Sequence, residues 1–262
     1  MKAIQKYMLS LIGASVLASG VYAEKSGGYL AVEVGGAKSK FKQDIDATAI
    51  VFGVPQPVVG DITADNILPA FYLKGGYKFM FGERGRFGVR PYIYFGYGYG
   101  SMKNISYNGS LGLVTLVPGA SDSIFTGTGK TYYNHFFDYG VGADLLYNFV
   151  DNENESFGIF AGVAIGGETW VANGKEYKPS QGSEVYANFQ TILNIGLRSV
   201  LAKHHGIELG AKFYMLDSVI FEGSGSSPLM DGIVSGISVN LNSTKTTMRR
   251  PYMISLAYTY NF

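Results

Sequence analysis

Apolar and polar residues alternate with a period of two along most of the chain beyond about residue 28. Such alternation is typical of β-strands whose two faces meet different surroundings. Each alternating segment has a core of about 9–11 residues, the length that a tilted strand needs to cross a bilayer. The segments lie near 28–41, 70–81, 89–107, 131–149, 157–170, 185–201, 207–221 and 251–262.

The connections between these segments alternate between short and long. The short ones are 82–88, 150–156 and 202–206, and the long ones are roughly 42–69, 108–130, 171–184 and 222–250. Outer-membrane barrels have tight periplasmic turns at one end and longer surface loops at the other. The pattern therefore predicts an all-β fold, an eight-stranded antiparallel transmembrane β-barrel with both termini in the periplasm. A soluble β-sandwich is the alternative, but its exposed face should carry more charge than either face here.

Charge separates the two faces of the predicted strands. The outward row is aliphatic and aromatic, as hydrocarbon requires. The inward row combines five acids with five bases, and we expect these side chains to line the barrel interior. They are Glu33, Lys74, Lys78, Arg90, Asp138, Asp144, Glu168, Arg198, Glu208 and Lys212.

The interior charges are compatible with either a plugged lumen or a narrow pore. An eight-stranded barrel is about filled by its own side chains, and buried opposite charges pair because an unpaired one is costly. This favours a plug, with Arg198 and Glu208 expected to pair beside the turn that joins their strands. Asp138 and Glu168 should lie near the outer mouth, where they would matter most in a pore.

Aromatic residues gather near the predicted strand ends, and glycines such as Gly96, Gly98 and Gly142 fall on the inward row. Amphipathic rings suit the membrane boundaries, and Trp170 is expected in the outer one. The chain ends in an alternating strand that carries Tyr258, Tyr260 and Phe262 outward. A terminal aromatic of this kind resembles the signal that barrel-assembly machinery reads.

The first residues indicate export. Lys2 and Lys6 form a basic region, the run "YMLSLIGASVLASG" is apolar, and Val21-Tyr22-Ala23 offers small residues to a signal peptidase. We expect residues 1–23 to be a signal peptide and residues 24–262 to form the barrel. An uncleaved membrane anchor is the alternative, although the apolar run is short for one.

Composition argues against several functions. The net charge of +1 offers no field that would attract nucleic acid, and without cysteine neither disulfides nor thiolate chemistry is available. No cofactor or metal motif stands out. The stretch "GTGKT" at 127–131 lacks the first glycine of a phosphate-binding loop and precedes a strand. A lipid-modifying enzyme based on His135 stays a weak alternative, since Ser121 and Ser123 are not placed beside it and Asp138 falls on the opposite face.

The predicted loops carry the remaining candidates. The connection 42–69 contains "AIVFGVPQPVVG", an apolar and proline-rich run above the membrane, and exposed apolar patches often mark interaction sites. We select Ile50, Val51, Phe52, Val58 and Val59 as a candidate interaction loop. The alternative is that this loop folds over the barrel mouth or packs on lipopolysaccharide. In the last loop Arg249 and Arg250 are expected at the outer surface, where they could meet lipopolysaccharide phosphates.

Three longer stretches resemble a known family. They are "GYKFMFGERGRFGVRPYIYFGYGYGS", "YGVGADLLYNFVDNENESFGIFAGVAIGGETW" and "NIGLRSVLAKHHGIELGAKF". They are similar to the barrel portion of the Helicobacter outer-membrane protein family, of the Hop and Hor type, from about residue 70 to the C-terminus. The resemblance implies an outer-membrane location and a family that includes both adhesins and porins. The gap after the first strand is only about 28 residues, so the long extracellular region of adhesive members is absent.

Together these patterns predict an integral protein of the cell outer membrane, of structural or interaction type, that acts through its surface loops. Its expected partners are outer-membrane lipid, lipopolysaccharide, the barrel-assembly machinery and a host or surface ligand. A narrow porin-like channel is the main alternative.

Overall fold

The computed structural model describes residues 24–51, 53–82, 85–110, 133–152, 155–173, 180–226 and 237–262. No helix in these ranges is both long and apolar enough to cross a membrane. The described residues form strands β1 (Gly27–Val51), β2 (Val54–Phe81), β3 (Phe87–Ser101), β4 (Lys103–Gly109), β5 (Tyr133–Asp151), β6 (Glu155–Asn173), β7 (Gln181–Glu184), β8 (Asn188–Leu201), β9 (His205–Tyr214), β10 (Ser218–Ser226) and β11 (Ile237–Asn261).

Eight of the strands close into a ring in the order β1-β2-β3-β5-β6-β8-β9-β11, and β11 pairs with β1 to complete it. Each of these pairings is antiparallel. A closed ring satisfies the backbone hydrogen bonds of every strand, which a bilayer demands because its core offers no water. The predicted eight-stranded antiparallel barrel is therefore confirmed.

The two faces of the ring separate apolar from charged residues. In β1, Leu30, Val32 and Val34 are exposed, whereas Ala31 and Glu33 between them are buried. The same alternation of exposed and buried positions recurs along the other strands of the ring. The exposed row is the face that meets lipid, and the buried row fills the lumen.

Three strands of the ring are much longer than a bilayer crossing requires. β1 has 25 residues, β2 has 28 and β11 has 25. Beyond Val34 the outward row of β1 becomes polar, with Lys40 and Lys42 exposed. The predicted connection 42–69 therefore lies in the hairpin of β1 and β2, which continues above the membrane. In the connection 222–250, the described residues 222–226 and 237–250 are strand. The reason is that burial still alternates there, through Phe41 and Ile45, although the residues are less apolar than in the membrane.

Above the membrane these strands form a second, six-stranded arrangement. Its order is β7-β10-β11-β1-β2-β4, because β10 pairs with β11 and β7, and β4 pairs with β2. The inner face is mostly apolar and continues the buried row of the barrel, with Phe41, Ile62, Leu68 and Met248 almost completely buried. An ordered apolar core therefore lies over the outer end of the lumen.

A β-bulge changes the register at the point where β11 enters the membrane. Tyr252 pairs with Lys38, but Arg249 pairs with Lys40, so one extra residue of β11 lies between them. Pro251 is one of the residues in this irregular step, a position that sheets tolerate for proline. The bulge reverses the side on which the residues above it point, and it turns Arg250 into the lumen, where it is buried.

Inward glycines leave room for large rings from neighbouring strands. A Cβ added at Gly96 would overlap the ring of Tyr72, and one added at Gly98 would overlap the ring of Phe136. Trp170 also points inward and packs against Phe136 at 5.2 Å between ring centroids. The expectation that Trp170 anchors the outer membrane boundary is therefore wrong, because it lies on the same row as the inward Glu168.

Candidate functional site

The lumen is the first candidate site. The structure places all ten charged residues of the predicted inward row in buried positions, and it adds Glu24 and Arg250 to them. Within the described residues these twelve side chains form four groups of three. In each group one charge lies between two side chains of the opposite sign.

The uppermost group is centred on Arg250. Its guanidinium forms two hydrogen bonds to Asp138, at 2.5 and 2.8 Å, and its Nε donates to Glu168 at 2.6 Å. The rings of Phe136 and Tyr214 lie 4.0 Å from the guanidinium carbon, a distance at which cation–π attraction is strong. The planar guanidinium of Arg250 is thus hydrogen-bonded to carboxylates along its edges and contacts aromatic rings through its faces.

Two groups fill the middle of the lumen. Arg90 donates to Asp144 at 2.8 Å and to Glu208. Glu33 accepts from Lys74 at 2.8 Å and from Lys212. One group carries an excess acid and the other an excess base, so their charges balance each other across the lumen.

The lowest group contains a residue that precedes the first strand. Glu24 accepts hydrogen bonds from Lys78 at 2.6 Å and from the guanidinium of Arg198 at 2.7 Å. Arg198 therefore pairs with Glu24 and not, as expected from sequence, with Glu208. Glu208 is opposite Arg198 in the strand register, but its carboxylate points to Arg90 across the ring.

Little space is left between these groups. A cavity of about 10 Å³ lies beside Glu33, Lys74, Asn194 and Lys212. That volume is about the minimum that holds one water molecule. Asp138 and Glu168, expected near the outer mouth, are both buried against Arg250 beneath the apolar core of the upper sheet. The expectation that Arg250 lies at the outer surface is wrong, because the bulge beside Pro251 turns it inward.

The second candidate site is the hairpin of β1 and β2 above the membrane. At its tip Ile50, Val54 and Val59 are exposed to 47%, 55% and 59%. Val58 is partly buried and packs against the apolar core. For Val51 only the backbone is described, and Phe52 lies outside the described residues, so the predicted group of five is only partly placed. Ile50 and Val59 belong to the outward row of the hairpin, because Val59 pairs with the outward Asp46. Val54 pairs with Val51 and therefore points to the opposite face.

The free edge of this hairpin has few hydrogen-bond donors. In the described residues β4 pairs with β2 only as far as Gly60, so β2 above that point is an edge. The N–H and C=O of Val59 point to this edge, where both bond to the hydroxyl of Ser110 at 2.8 and 3.0 Å. Pro55 and Pro57 face the same edge by alternation and have no N–H to offer. An added strand would find no free donor on that side, which is a known protection against edge-to-edge pairing.

The outward face of the upper sheet is polar and carries both signs of charge. Lys38 pairs with Asp65 at 2.9 Å, and the exposed Arg249 pairs with Asp217 at 3.2 Å. A hydrogen bond from Asn104 and the ammonium of Lys38 lower the pKa of Asp65. A groove of about 510 Å³ crosses this face between β10 and β4. Its bases and acids are mixed, so it presents no single charge to a ligand.

The histidines lie away from any catalytic arrangement in the described residues. His135 accepts or shares a hydrogen bond with Tyr97 at 2.8 Å and faces outward, whereas Asp138 faces the lumen. Ser121, Ser123 and the stretch 127–131 lie outside the described residues. No group of three or more histidine, aspartate or glutamate side chains in the described ranges could hold a metal ion.

His204 lies in the turn between β8 and β9, and His205 is the first residue of β9. Both contact the C-terminal strand. His204 is hydrogen-bonded to the carbonyl of Asn261 at 2.7 Å, and His205 to the hydroxyl of Tyr258 at 2.7 Å. Tyr258, Tyr260 and Phe262 are all exposed on the lipid-facing row. The residues of the predicted assembly signal are therefore accessible side by side on the outside of the ring.

The sequence profile described as "Helicobacter outer membrane protein" matches residues 72–262. Among solved structures the chain is similar to the outer membrane protein OprG from Pseudomonas aeruginosa, with 12% identity, 92% of this chain and 99% of that chain covered, and a TM-score of 0.48. It is also similar to Ail, the attachment invasion locus protein of Yersinia pestis, with 14% identity, 89% and 99% covered, and a TM-score of 0.32. No curated protein matches the chain.

Proposed function

Because the chain belongs to the Helicobacter outer membrane protein family, we propose that it is a surface protein that acts through the sheet above its membrane barrel. Family membership places it in the outer membrane. The barrel itself anchors and orients this sheet, and its lumen is closed. Activity then resides in side chains that face the outside of the cell.

The observation that carries the proposal is the continuation of β1, β2 and β11 far beyond the membrane. A barrel that served only as an anchor would need strands of about ten residues. Here the extra length builds an ordered apolar core and presents a hairpin whose outward face exposes Ile50 and Val59. Exposed apolar side chains at the far end of an ordered element are typical of a binding surface.

The chemistry of the hairpin favours a protein partner on a contacted cell surface. Pro55 and Pro57 remove donors from the edge, so the partner does not bind as an added strand. Two copies of this chain are kept from pairing edge to edge for the same reason. Ile50 and Val59, which share the outward face, suit a partner with an apolar patch of its own, in which a few buried side chains supply most of the affinity.

We expect the double variant Ile50→Ser, Val59→Ser to adhere at least about tenfold less to cultured epithelial cells, because it removes the apolar contacts that bury area on binding. The measurement compares Gram-negative laboratory cells that display the wild-type chain with cells that display the variant, counted by flow cytometry. Gln56→Ala, an exposed change between the two prolines, is the matched control and should adhere like the wild type. Equal adherence of the double variant and the wild type would refute the proposed surface.

We expect the folded chain to produce no discrete conductance steps in a planar bilayer, because paired charges and aromatic rings fill its lumen. Insertion is verified separately by the shift in gel mobility between boiled and unboiled protein. Reproducible steps that change on Asp138→Asn or Glu168→Gln would instead establish the porin-like alternative.

Export and membrane insertion of the chain depend on its two ends. Residues 1–23 are removed as a signal peptide, and Tyr258, Tyr260 and Phe262 are read by barrel-assembly machinery. Their exposure on one row of the ring supports such a contact. Arg249, exposed just above the membrane, contacts lipopolysaccharide phosphates, since guanidinium binds phosphate well. No catalytic role is proposed.

A further inference from the structure

The lower end of the lumen contains a carboxylate surrounded by donors from four strands. Glu24 accepts from Lys78 of β2 at 2.6 Å, Asn148 of β5 at 2.7 Å, Ser156 of β6 at 3.2 Å and the guanidinium of Arg198 of β8. Its side chain is completely buried. Both oxygens are engaged, since Oε1 bonds to Lys78 and Oε2 bonds to Asn148 and Ser156.

Glu24 is not itself part of any strand of the ring. It precedes β1, and Lys25 and Ser26 after it are exposed. The hydroxyl of Ser26 accepts a hydrogen bond from the backbone of Met80 at 2.9 Å. The donors, by contrast, project from rigid strands and are linked to each other, because Arg198 also donates to Asn148 at 3.0 Å. The strands of the ring thus provide a preformed set of hydrogen-bond donors. The short segment before β1 provides the carboxylate of Glu24 that binds to them.

From this arrangement we infer that the periplasmic end of the lumen is a carboxylate-binding site, which Glu24 occupies from within the same chain. Two cations set the sign of the ligand, and the amide of Asn148 and the hydroxyl of Ser156 fix its orientation. Charged donors aimed at a single carboxylate make short, strong hydrogen bonds. A free carboxylate of similar size binds at this site when the side chain of Glu24 is absent.

The carboxylate site is separate from the upper sheet and does not depend on what that sheet binds. The middle groups around Arg90 and Glu33 lie between this site and the outer surface, so the site opens only toward the periplasm. Glu24 is therefore a plug for one end of the lumen. Without it, Lys78 and Arg198 would be buried without the carboxylate that compensates them, which is strongly unfavourable.

The test is chemical rescue of Glu24→Ala in protein purified from outer membranes into detergent. We expect its midpoint of thermal unfolding, followed by the shift in gel mobility, to fall by about 10 °C. Sodium formate should restore about half of that loss, whereas sodium chloride at the same ionic strength should not. If Glu24→Ala does not assemble, the yield of folding from denaturant in formate and in chloride gives the same comparison.

Three variants separate a site from general salt effects. In Glu24→Gln the glutamine side chain still occupies the site, so this variant should be less stable than the wild type but should not respond to formate. Glu24→Ala combined with Arg198→Met should also be indifferent to formate, because the main donor is gone. Lys25→Ala should behave like the wild type in both salts. Equal effects of formate and chloride on Glu24→Ala, or unchanged stability of that variant, would overturn the inference.

Discussion

Replacing Arg250 by Met is expected to destabilise the barrel by about 3–5 kcal/mol, because it leaves two buried carboxylates without their cation. Asp138 loses both hydrogen bonds from the guanidinium, and Glu168 loses the one at 2.6 Å. The rings of Phe136 and Tyr214 lose a cation between them as well. Unfolding in denaturant, with the protein in detergent micelles, measures the difference.

The neighbouring arginine is a matched control for this variant. Arg249 has the same chemistry, but its side chain is 55% exposed and its partner Asp217 is 50% exposed. Arg249→Met is therefore expected to cost less than about 1 kcal/mol. Adding Asp138→Asn and Glu168→Gln to Arg250→Met should recover part of the loss, since it removes the uncompensated charges. Equal costs for the two arginine variants would mean that the buried group does not hold the barrel together.

The contrast between these two arginines also shows where sequence reasoning stops. A strict period of two places charge on one face, and that rule alone located ten of the twelve buried charges in the described residues. It works because hydrocarbon excludes charge from the other face of every strand. Strict alternation places Arg250 on the outward face, but it is buried because a bulge shifts the period by one residue. Pro251 was the available signal, since a proline within a strand indicates an edge or a bulge.

The sequence does not predict which interior acid pairs with which interior base, for a different reason. Residues opposite each other in the register, such as Arg198 and Glu208, are neighbours on adjacent strands. Inside a narrow ring, however, a long side chain reaches strands on the far wall as easily as the next strand. Arg90 thus meets Glu208 across the lumen. Glu24 was missed because it belongs to no strand and no alternation includes it.

The sequence predicts loops above the membrane, where the structure has a sheet. Its inward row contains small and polar residues such as Gln43, Ala47 and Ala49, so its alternation is weaker in hydrophobicity than that of a membrane strand. Pro55 and Pro57 favour a loop in sequence, but proline is also tolerated on a free strand edge, where the structure places them. Of the five residues predicted for the interaction loop, Ile50 and Val59 are exposed and Val58 is partly buried.

Replacing Gly98 by Val is expected to destabilise the barrel by about 2–3 kcal/mol, because the new side chain and the ring of Phe136 would occupy the same space. Phe136 packs on Trp170 and on the guanidinium of Arg250, so its displacement disturbs the uppermost ionic group. Trp170 is the only tryptophan of the chain, and its fluorescence therefore reports this packing directly.

The emission of Trp170 should shift in Gly98→Val before any unfolding, because the ring beside it has moved. Ala161→Val is the control, since Ala161 is exposed on the lipid-facing row and an added methyl group has room there. Phe136→Leu in the Gly98→Val background should recover part of the stability by removing the ring that the valine displaces. If Gly98→Val instead matched the control in both emission and stability, the lumen would have spare volume at this level. The barrel would then not be closed by side chains at this level.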